Sequence, residues 1–157
     1  MSWSDLHALD AETGLLSRRL IATLVTTRGD GWPTVTAVWF RIEGERIAIS
    51  TSSASRKGRD VRIHPHAQLM VQDADDDMGA WGVVFRGPVH IVDGDAARER
   101  NQLIYAKYKL PEWSELPEVK AFFSHDDLTL ELTPESLRVW DLRRTDAARA
   151  ARAARAL

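Results

Sequence analysis

The chain has 157 residues, a formal net charge of −2 and no cysteine. This length suits one domain with a substantial core, and we predict a single domain over residues 1–157. The near-zero charge argues against a nucleic-acid-binding or membrane-surface protein, and the lack of cysteine excludes disulfides, zinc knuckles and thiol chemistry. Residues 1–16 do not place a long apolar run behind a basic start, so we predict no signal peptide or membrane span and a cytoplasmic location.

The first part of the chain alternates short apolar patterns with turn signals. An N-terminal helix capped by Ser4 is predicted within residues 1–18. Period-two patterns then predict three strands, over residues 20–27, 33–42 and 46–51. Asp30-Gly31 favours a tight turn between the first two strands. We therefore expect the three strands to form an antiparallel meander.

The remaining chain predicts four further strands, over residues 67–72, 81–92, 128–133 and 136–142. Helices are predicted over residues 56–64, 96–109 and 112–123, and the Ala/Arg-rich residues 143–157 predict a terminal helix or tail. Gly87-Pro88 interrupts the long strand and suggests a bulge or an edge position. Short antiparallel strands with few helices indicate a mainly β protein with peripheral helices, closed or nearly closed into a barrel.

The stretch from Ile47 to Pro65 carries the strongest chemical signal. A run of hydroxyl residues precedes Ser55, a good N-cap, which places Arg56 and Lys57 in the first helical turn. The positive end of a helix dipole disfavours cations there unless an anion lies among them. A phosphate would accept hydrogen bonds from free backbone N–H groups, from Thr51 or Ser55, and from both cations. The alternative is a solvated basic turn.

The motif order resembles the pyridoxamine 5′-phosphate oxidase-like superfamily of flavin and deazaflavin oxidoreductases. The residues that carry the resemblance are Gly31, Pro33, Val38-Trp39-Phe40, Ser50-Thr51, Ser55-Arg56-Lys57, Arg59, Pro65 and the strand 83–87. The resemblance implies a split β-barrel of six to seven antiparallel strands. It also implies a homodimer with two cofactor sites at the subunit interface, and a small-molecule substrate.

Cofactor-binding positions follow from the resemblance residue by residue. The phosphate would lie at Ser50, Thr51, Ser55, Arg56 and Lys57, and the ring system would lie along Thr36, Ala37 and Val38. Trp39, Trp81 and Trp140 are candidates to wall the pocket, and Trp81 is included among the predicted cofactor-binding residues.

Departures from the flavin-binding oxidases shape the prediction of function. Thr36 and Arg41 stand where those oxidases usually carry Arg and Lys, and residues 138–141 lack the Arg-x-His pair that binds the vitamin B6 substrate. These departures argue against oxidation of pyridoxamine phosphate. The short length, Val38-Trp39-Phe40 and the Arg-Lys-x-Arg spacing of residues 56–59 resemble the branch that uses the deazaflavin F420, with FMN as the alternative cofactor. This resemblance implies hydride transfer between the cofactor and a small conjugated or unsaturated substrate.

Two further readings of the sequence remain open. The protein could be an FMN-dependent oxidoreductase, or a non-catalytic protein that binds FMN, F420 or a tetrapyrrole. No acid–base dyad is evident, which fits both a ring-driven reductase and a binder, and no catalytic residue is assigned. No metal site is predicted, because His64 and His66 lack a third ligand and residues 73–77 lack the spacing of a calcium loop.

Overall fold

The computed structural model describes residues 2–76, 79–108 and 115–155. Its strands are β1 (Ala22–Thr27), β2 (Pro33–Val38), β3 (Phe40–Glu43), β4 (Arg46–Thr51), β5 (His66–Ala74), β6 (Ala80–Asp93), β7 (Leu128–Leu132) and β8 (Ser136–Asp141). Its α-helices are α1 (Trp3–Thr13), α2 (Arg56–Ile63), α3 (Gly94–Tyr108), α4 (Pro117–Ser124) and α5 (Asp146–Arg155). None of the described helices is long and apolar enough to cross a bilayer.

All strand pairs are antiparallel, in the order β2-β1-β5-β6-β7-β4-β3, with β8 also paired to β6. Strand β6 is long enough to belong to both halves of the barrel. Its first part pairs with β5 and β8, and its last part, from Val89 to Asp93, pairs with β7. The prediction of a mainly β split barrel with peripheral helices is confirmed.

The predicted meander is wrong, because the strand predicted over residues 33–42 breaks at Trp39. Strand β2 pairs with β1, whereas β3 pairs with β4 at the opposite end of the strand order. The Phe40 N–H donates instead to the Tyr108 hydroxyl at 3.4 Å, and that hydroxyl donates to the Leu20 carbonyl at 2.8 Å. Tertiary contacts from α3 thus support the break, which gives eight strands among the described residues instead of the predicted six to seven.

Gly87-Pro88 lies in the middle of β6, where the strand passes from one half of the barrel to the other. Pairing with β8 ends at Arg86 and pairing with β7 begins at Val89, whereas the ladder to β5 continues through both residues. The turn after β7 packs directly on Gly87. A Cβ at this position would overlap the Thr133 carbonyl oxygen and lie 2.9 Å from Glu135 N. Glycine is required here by the close approach of two backbones.

Several packing details differ from the sequence expectations. Ser2, not Ser4, caps α1, because its side chain accepts from the Asp5 N–H in a reciprocal capping box. On α3, apolar Leu103 is 50% exposed, whereas Tyr105 is buried. The helix predicted over residues 112–123 is α4, Pro117–Ser124, and the part of that prediction over 112–114 lies outside the described residues.

All five residues of strand β7 are buried, including the polar Thr129 and Glu131. The buried polar positions are satisfied locally. Glu131 accepts from Arg100 at 2.5 Å and from Arg46 at 3.1 Å. The Arg100 hydrogen bond, together with both positive charges, holds the pKa of its carboxyl below the usual range. Thr129 donates to Asn101 at 2.8 Å. The polar face of β7 is therefore buried against α3, whose side chains satisfy its hydrogen bonds.

Candidate functional site

A cleft of about 290 Å³ opens where the end of β2, the β4–α2 loop and α4 meet. Its described lining residues are Ile21, Ala37, Val38, Trp39, Ser50, Thr51, Ser52, Ser55, Lys57, Phe122, Phe123 and Asp126. The lining combines hydroxyls and a cation with aromatic and apolar side chains, the mixture expected of a site for a phosphorylated ring compound.

Hydroxyl groups and the start of α2 form the polar end of the cleft. Ser55 is the N-cap, as predicted, and its Oγ accepts from the Gly58 N–H at 3.0 Å. The Thr51 hydroxyl lies 2.9 Å from the same Oγ. The backbone N–H groups of Arg56 and Lys57 are the remaining donors of this first turn, in a helix-end position suited to an anion.

Two further contacts fix the loop that carries these groups. Asp127 accepts from the Ser53 N–H at 2.6 Å and from the Ser53 hydroxyl at 2.7 Å. These hydrogen bonds lower the pKa of Asp127 and keep it a carboxylate. On the other side, Gly58 lets the loop approach α2, since a Cβ there would lie 2.7 Å from the Ser52 carbonyl oxygen. The polar end is therefore held from α2 and from the turn before β7.

Lys57 is the half-buried cation of the cleft. Burial lowers the pKa of its amine, and the nearby Asp126 carboxylate opposes this change. A buried ammonium is stabilised by a bound anion, because the anion replaces part of the lost hydration. The position of Lys57 therefore favours an anionic ligand.

Asp126 faces the same cleft from the turn after α4. Tyr105 is buried, with 4% of the residue exposed, and its hydroxyl donates to Asp126 Oδ2 at 2.6 Å. Burial, followed by the interaction with Asp126, raises the pKa of Tyr105, so the phenol stays protonated and remains a donor. The Asp126 carbonyl accepts from Asn101 Nδ2 at 3.1 Å, which anchors the turn to α3.

Aromatic side chains wall the other end of the cleft. Trp39 stacks on Tyr108 with ring centroids 4.9 Å apart and an interplanar angle of 3°. Phe123 packs against Trp39 at 5.4 Å and against Tyr105 at 4.4 Å. Phe122 also lines the cleft but is 70% exposed. These rings provide flat apolar surface beside the polar end of the cleft.

Six of the nine predicted cofactor-binding residues line this cleft: Ala37, Val38, Ser50, Thr51, Ser55 and Lys57. The sequence did not identify Phe122 and Phe123 of α4 or Asp126 of the turn that follows it, which line the cleft, nor Tyr105 of α3, which binds Asp126. Neither helix carries a motif that identifies the strand it packs against, so these contacts depend on the tertiary fold.

The structure does not bring Thr36, Arg56 or Trp81 into the lining of this cleft. Strand alternation directs Thr36 to the inner face, opposite buried Leu24. The Arg56 side chain is exposed at the first position of α2, so only one of the two predicted cations lines the cleft. Trp81 is buried in the core with Arg143 4.7 Å above its ring.

Two other residues considered from the sequence also lie apart from the cleft lining. Arg41 pairs with Glu43 at 2.6 Å and does not line the cleft. Trp140 packs over Gly82, where a Cβ would lie 2.5 Å from its ring. Of the three tryptophans considered, Trp39 is the one that reaches the cleft.

The antiparallel barrel, with its hydroxyl-rich strand–helix corner and aromatic-walled cleft, places the chain in the class of split β-barrel proteins. The chain belongs to the pyridoxamine 5′-phosphate oxidase family, whose sequence profile matches residues 9–141. A comparison with curated protein sequences found no match.

Solved structures that share this fold carry names that refer to different functions. A conserved hypothetical protein, Rv2991 from Mycobacterium tuberculosis, is 25% identical, with a TM-score of 0.68 over 91% of this chain and 86% of its own. An F420 reductase is 29% identical, with a TM-score of 0.62 over 80% of this chain and 94% of its own. HutZ, a heme storage protein from Vibrio cholerae, is 20% identical, with a TM-score of 0.59 over 82% and 92%.

Proposed function

We propose that this protein is an oxidoreductase that binds F420 in the cleft and transfers a hydride between it and a small conjugated or unsaturated substrate. The observation that carries the proposal is the cleft itself. It joins an anion-binding corner, with Ser55 and half-buried Lys57, to an aromatic wall formed by Trp39 and Phe123. A phosphorylated, flat redox cofactor requires both features in one cavity.

When bound, the deazaflavin ring supplies the hydride chemistry, and the residues of the chain bind and orient it. Lys57, Ser55 and the N–H groups at the start of α2 hold the phosphate. The backbone of Ala37 and Val38 follows the ring. Phe123 limits the access of water from the α4 side, which strengthens the electrostatic contacts inside the cleft.

F420 is favoured over FMN by two observations. Flavin-binding oxidases usually carry Arg and Lys where this chain has Thr36 and Arg41. Here Thr36 faces inward, and Arg41 is engaged by Glu43 outside the cleft lining. In addition, the F420 reductase is 29% identical over most of both chains. An FMN-dependent oxidoreductase is the second candidate, because the anion-binding corner suits either cofactor.

We further propose that the protein is a homodimer whose second subunit covers the outward face of β1 and β2. Ile21 and Val35 are 52% and 63% exposed on this side of the molecule. The apolar surface is continuous with the cleft, because Ile21 and Ala37 also line it. A second copy on this face would bury the exposed apolar residues and close the cleft.

Parallel titrations with F420 and FMN, followed by fluorescence, test the proposed function. We expect saturable binding of both, with F420 about tenfold or more tighter, a difference of about 1.4 kcal/mol. Reduced F420 should then be oxidised when a panel of conjugated acceptors is added.

Other outcomes would support a different function or overturn the proposal. Yellow protein that carries FMN from expression would select the FMN-dependent enzyme. Tight binding without oxidation of reduced F420 by any acceptor would select a non-catalytic binder. Failure of both compounds to bind would overturn the proposal.

A further inference from the structure

We infer that Lys107 is a positioning residue for the cleft, although it is not among the residues that line it. Together with the Tyr108 hydroxyl, its ammonium fixes the backbone beside Trp39 and so holds the Trp39 ring where a flat ligand packs against it. This inference rests on the proposed function, because it takes that flat ligand to be the ring of the cofactor.

Trp39 lies in the break between two strands. Strand β2 ends with Val38, which is paired with Ala22, and β3 begins with Phe40, which is paired with Ile49. Among the described residues, Trp39 itself has no strand partner. The orientation of its ring in the cleft wall therefore depends on the contacts that hold its neighbours.

The last two residues of α3 bind both backbone groups of Phe40. The Phe40 N–H donates to the Tyr108 hydroxyl at 3.4 Å, and the Phe40 carbonyl accepts from Lys107 Nζ at 3.3 Å. The same amine donates to the Leu16 carbonyl at 2.7 Å, and the same hydroxyl donates to the Leu20 carbonyl at 2.8 Å. The end of α3 thus joins the start of β3 to the segment that precedes β1.

The ring contacts around Trp39 depend on the same two residues of α3. Tyr108 stacks on Trp39 with ring centroids 4.9 Å apart. Lys107 Nζ lies 3.8 Å from the centroid of the Phe40 ring and 5.1 Å from that of the Tyr108 ring, within the range of cation–π attraction. Loss of the amine would therefore loosen Phe40 and Tyr108 together, and both are neighbours of Trp39.

The charge of Lys107 does more than fill space at the end of α3. The side chain is half-buried, and burial lowers the pKa of its amine to about 8, an effect that the Asp10 carboxylate opposes. At pH 7 the amine is protonated and has three N–H donors. An apolar side chain of similar length would fill the site without the desolvation of an ammonium, but it could not bind the two carbonyls.

The test is Lys107→Met, which keeps the length of the side chain and removes its N–H donors. Dissociation constants for riboflavin, FMN and F420 are measured at pH 7. We expect all three compounds to bind about three- to tenfold more weakly, the effect of a displaced aromatic contact with the ring. Tyr108→Phe keeps the stacked ring and removes the hydroxyl, so it should act in the same direction. It is the second variant if Lys107→Met does not fold.

A second measurement needs no ligand. In protein labelled with fluorotryptophan, the fluorine NMR signal of Trp39 is identified by its loss in Trp39→Phe. Stacking on Tyr108 displaces this signal, through the ring current, from its position in the urea-unfolded chain. Lys107→Met should move the signal toward the unfolded position.

Lys120→Met is the matched control, because it makes the same change at an exposed amine of α4 that pairs with Glu115 and is not part of the cleft lining. It should change neither the affinities nor the Trp39 signal. An unmoved Trp39 signal in Lys107→Met would overturn the inference, as would a loss of affinity confined to the two phosphorylated compounds. If none of the three compounds binds the wild-type protein, the proposed function fails, and the Trp39 signal alone decides whether Lys107 positions that ring.

Discussion

Lys57→Ala is expected to weaken the binding of F420 and of FMN by about 1.5 to 3 kcal/mol, which is roughly 10- to 150-fold in the dissociation constant. The Lys57 side chain is half-buried in the cleft, and it is the one cation among the described lining residues. Loss of the ammonium leaves the phosphate with the hydroxyls and N–H groups of the corner, which are neutral donors. Fluorescence titration of the purified variant gives the constant directly.

Two controls separate a phosphate contact from other effects. Riboflavin, which has no phosphate, should bind Lys57→Ala and the wild type equally well. Lys120→Ala makes the same chemical change on α4, where the amine pairs with Glu115 at 2.7 Å and does not line the cleft, and should preserve the affinity. Equal F420 affinity in wild type and Lys57→Ala would refute the assignment of Lys57.

Gly87→Ala should lower the free energy of unfolding by about 3 kcal/mol or more. This figure combines the cost of overpacking with the cost of disturbing nearby hydrogen bonds. The added methyl group would overlap the Thr133 carbonyl oxygen. The turn cannot move away freely, because Thr133 N donates to the Pro88 carbonyl at 3.0 Å and Glu135 N donates to the Arg86 carbonyl at 2.9 Å. Urea unfolding at a fixed protein concentration measures the change.

Gly29→Ala provides the comparison for this effect. Its Cβ would meet only the end of the flexible Ile63 side chain, at 3.4 Å, so we expect a change of less than about 1 kcal/mol. If Gly87→Ala were as stable as Gly29→Ala, the close approach of the turn to β6 would not exist in solution.

The anion-binding corner could be predicted from the sequence because its parts are local. The N-cap role of Ser55 depends on residues three positions apart, and the adjacent hydroxyls follow from the end of one strand. Most strand positions could be predicted for the same reason, because alternation of apolar and polar side chains indicates a buried face. These features need no knowledge of which elements meet in the fold.

The rest of the candidate site depends on contacts between distant parts of the chain. Asp126 and Phe123 reach the cleft because α4 packs near β2, and nothing in their neighbouring residues indicates that packing. The break at Trp39 depends on Tyr108, nearly 70 residues later, which bonds the Phe40 N–H. Trp81 failed to reach the cleft for a related reason, since the register of β6 directs it into the core.

A crystal structure of the protein with F420 is the most direct test of where the cofactor binds. We expect phosphate oxygens within about 3.2 Å of Ser55 Oγ and Lys57 Nζ, with the ring beside Trp39 and a second subunit against Ile21 and Val35. A phosphate bound away from the first turn of α2, with Lys57 turned into solvent, would contradict the account.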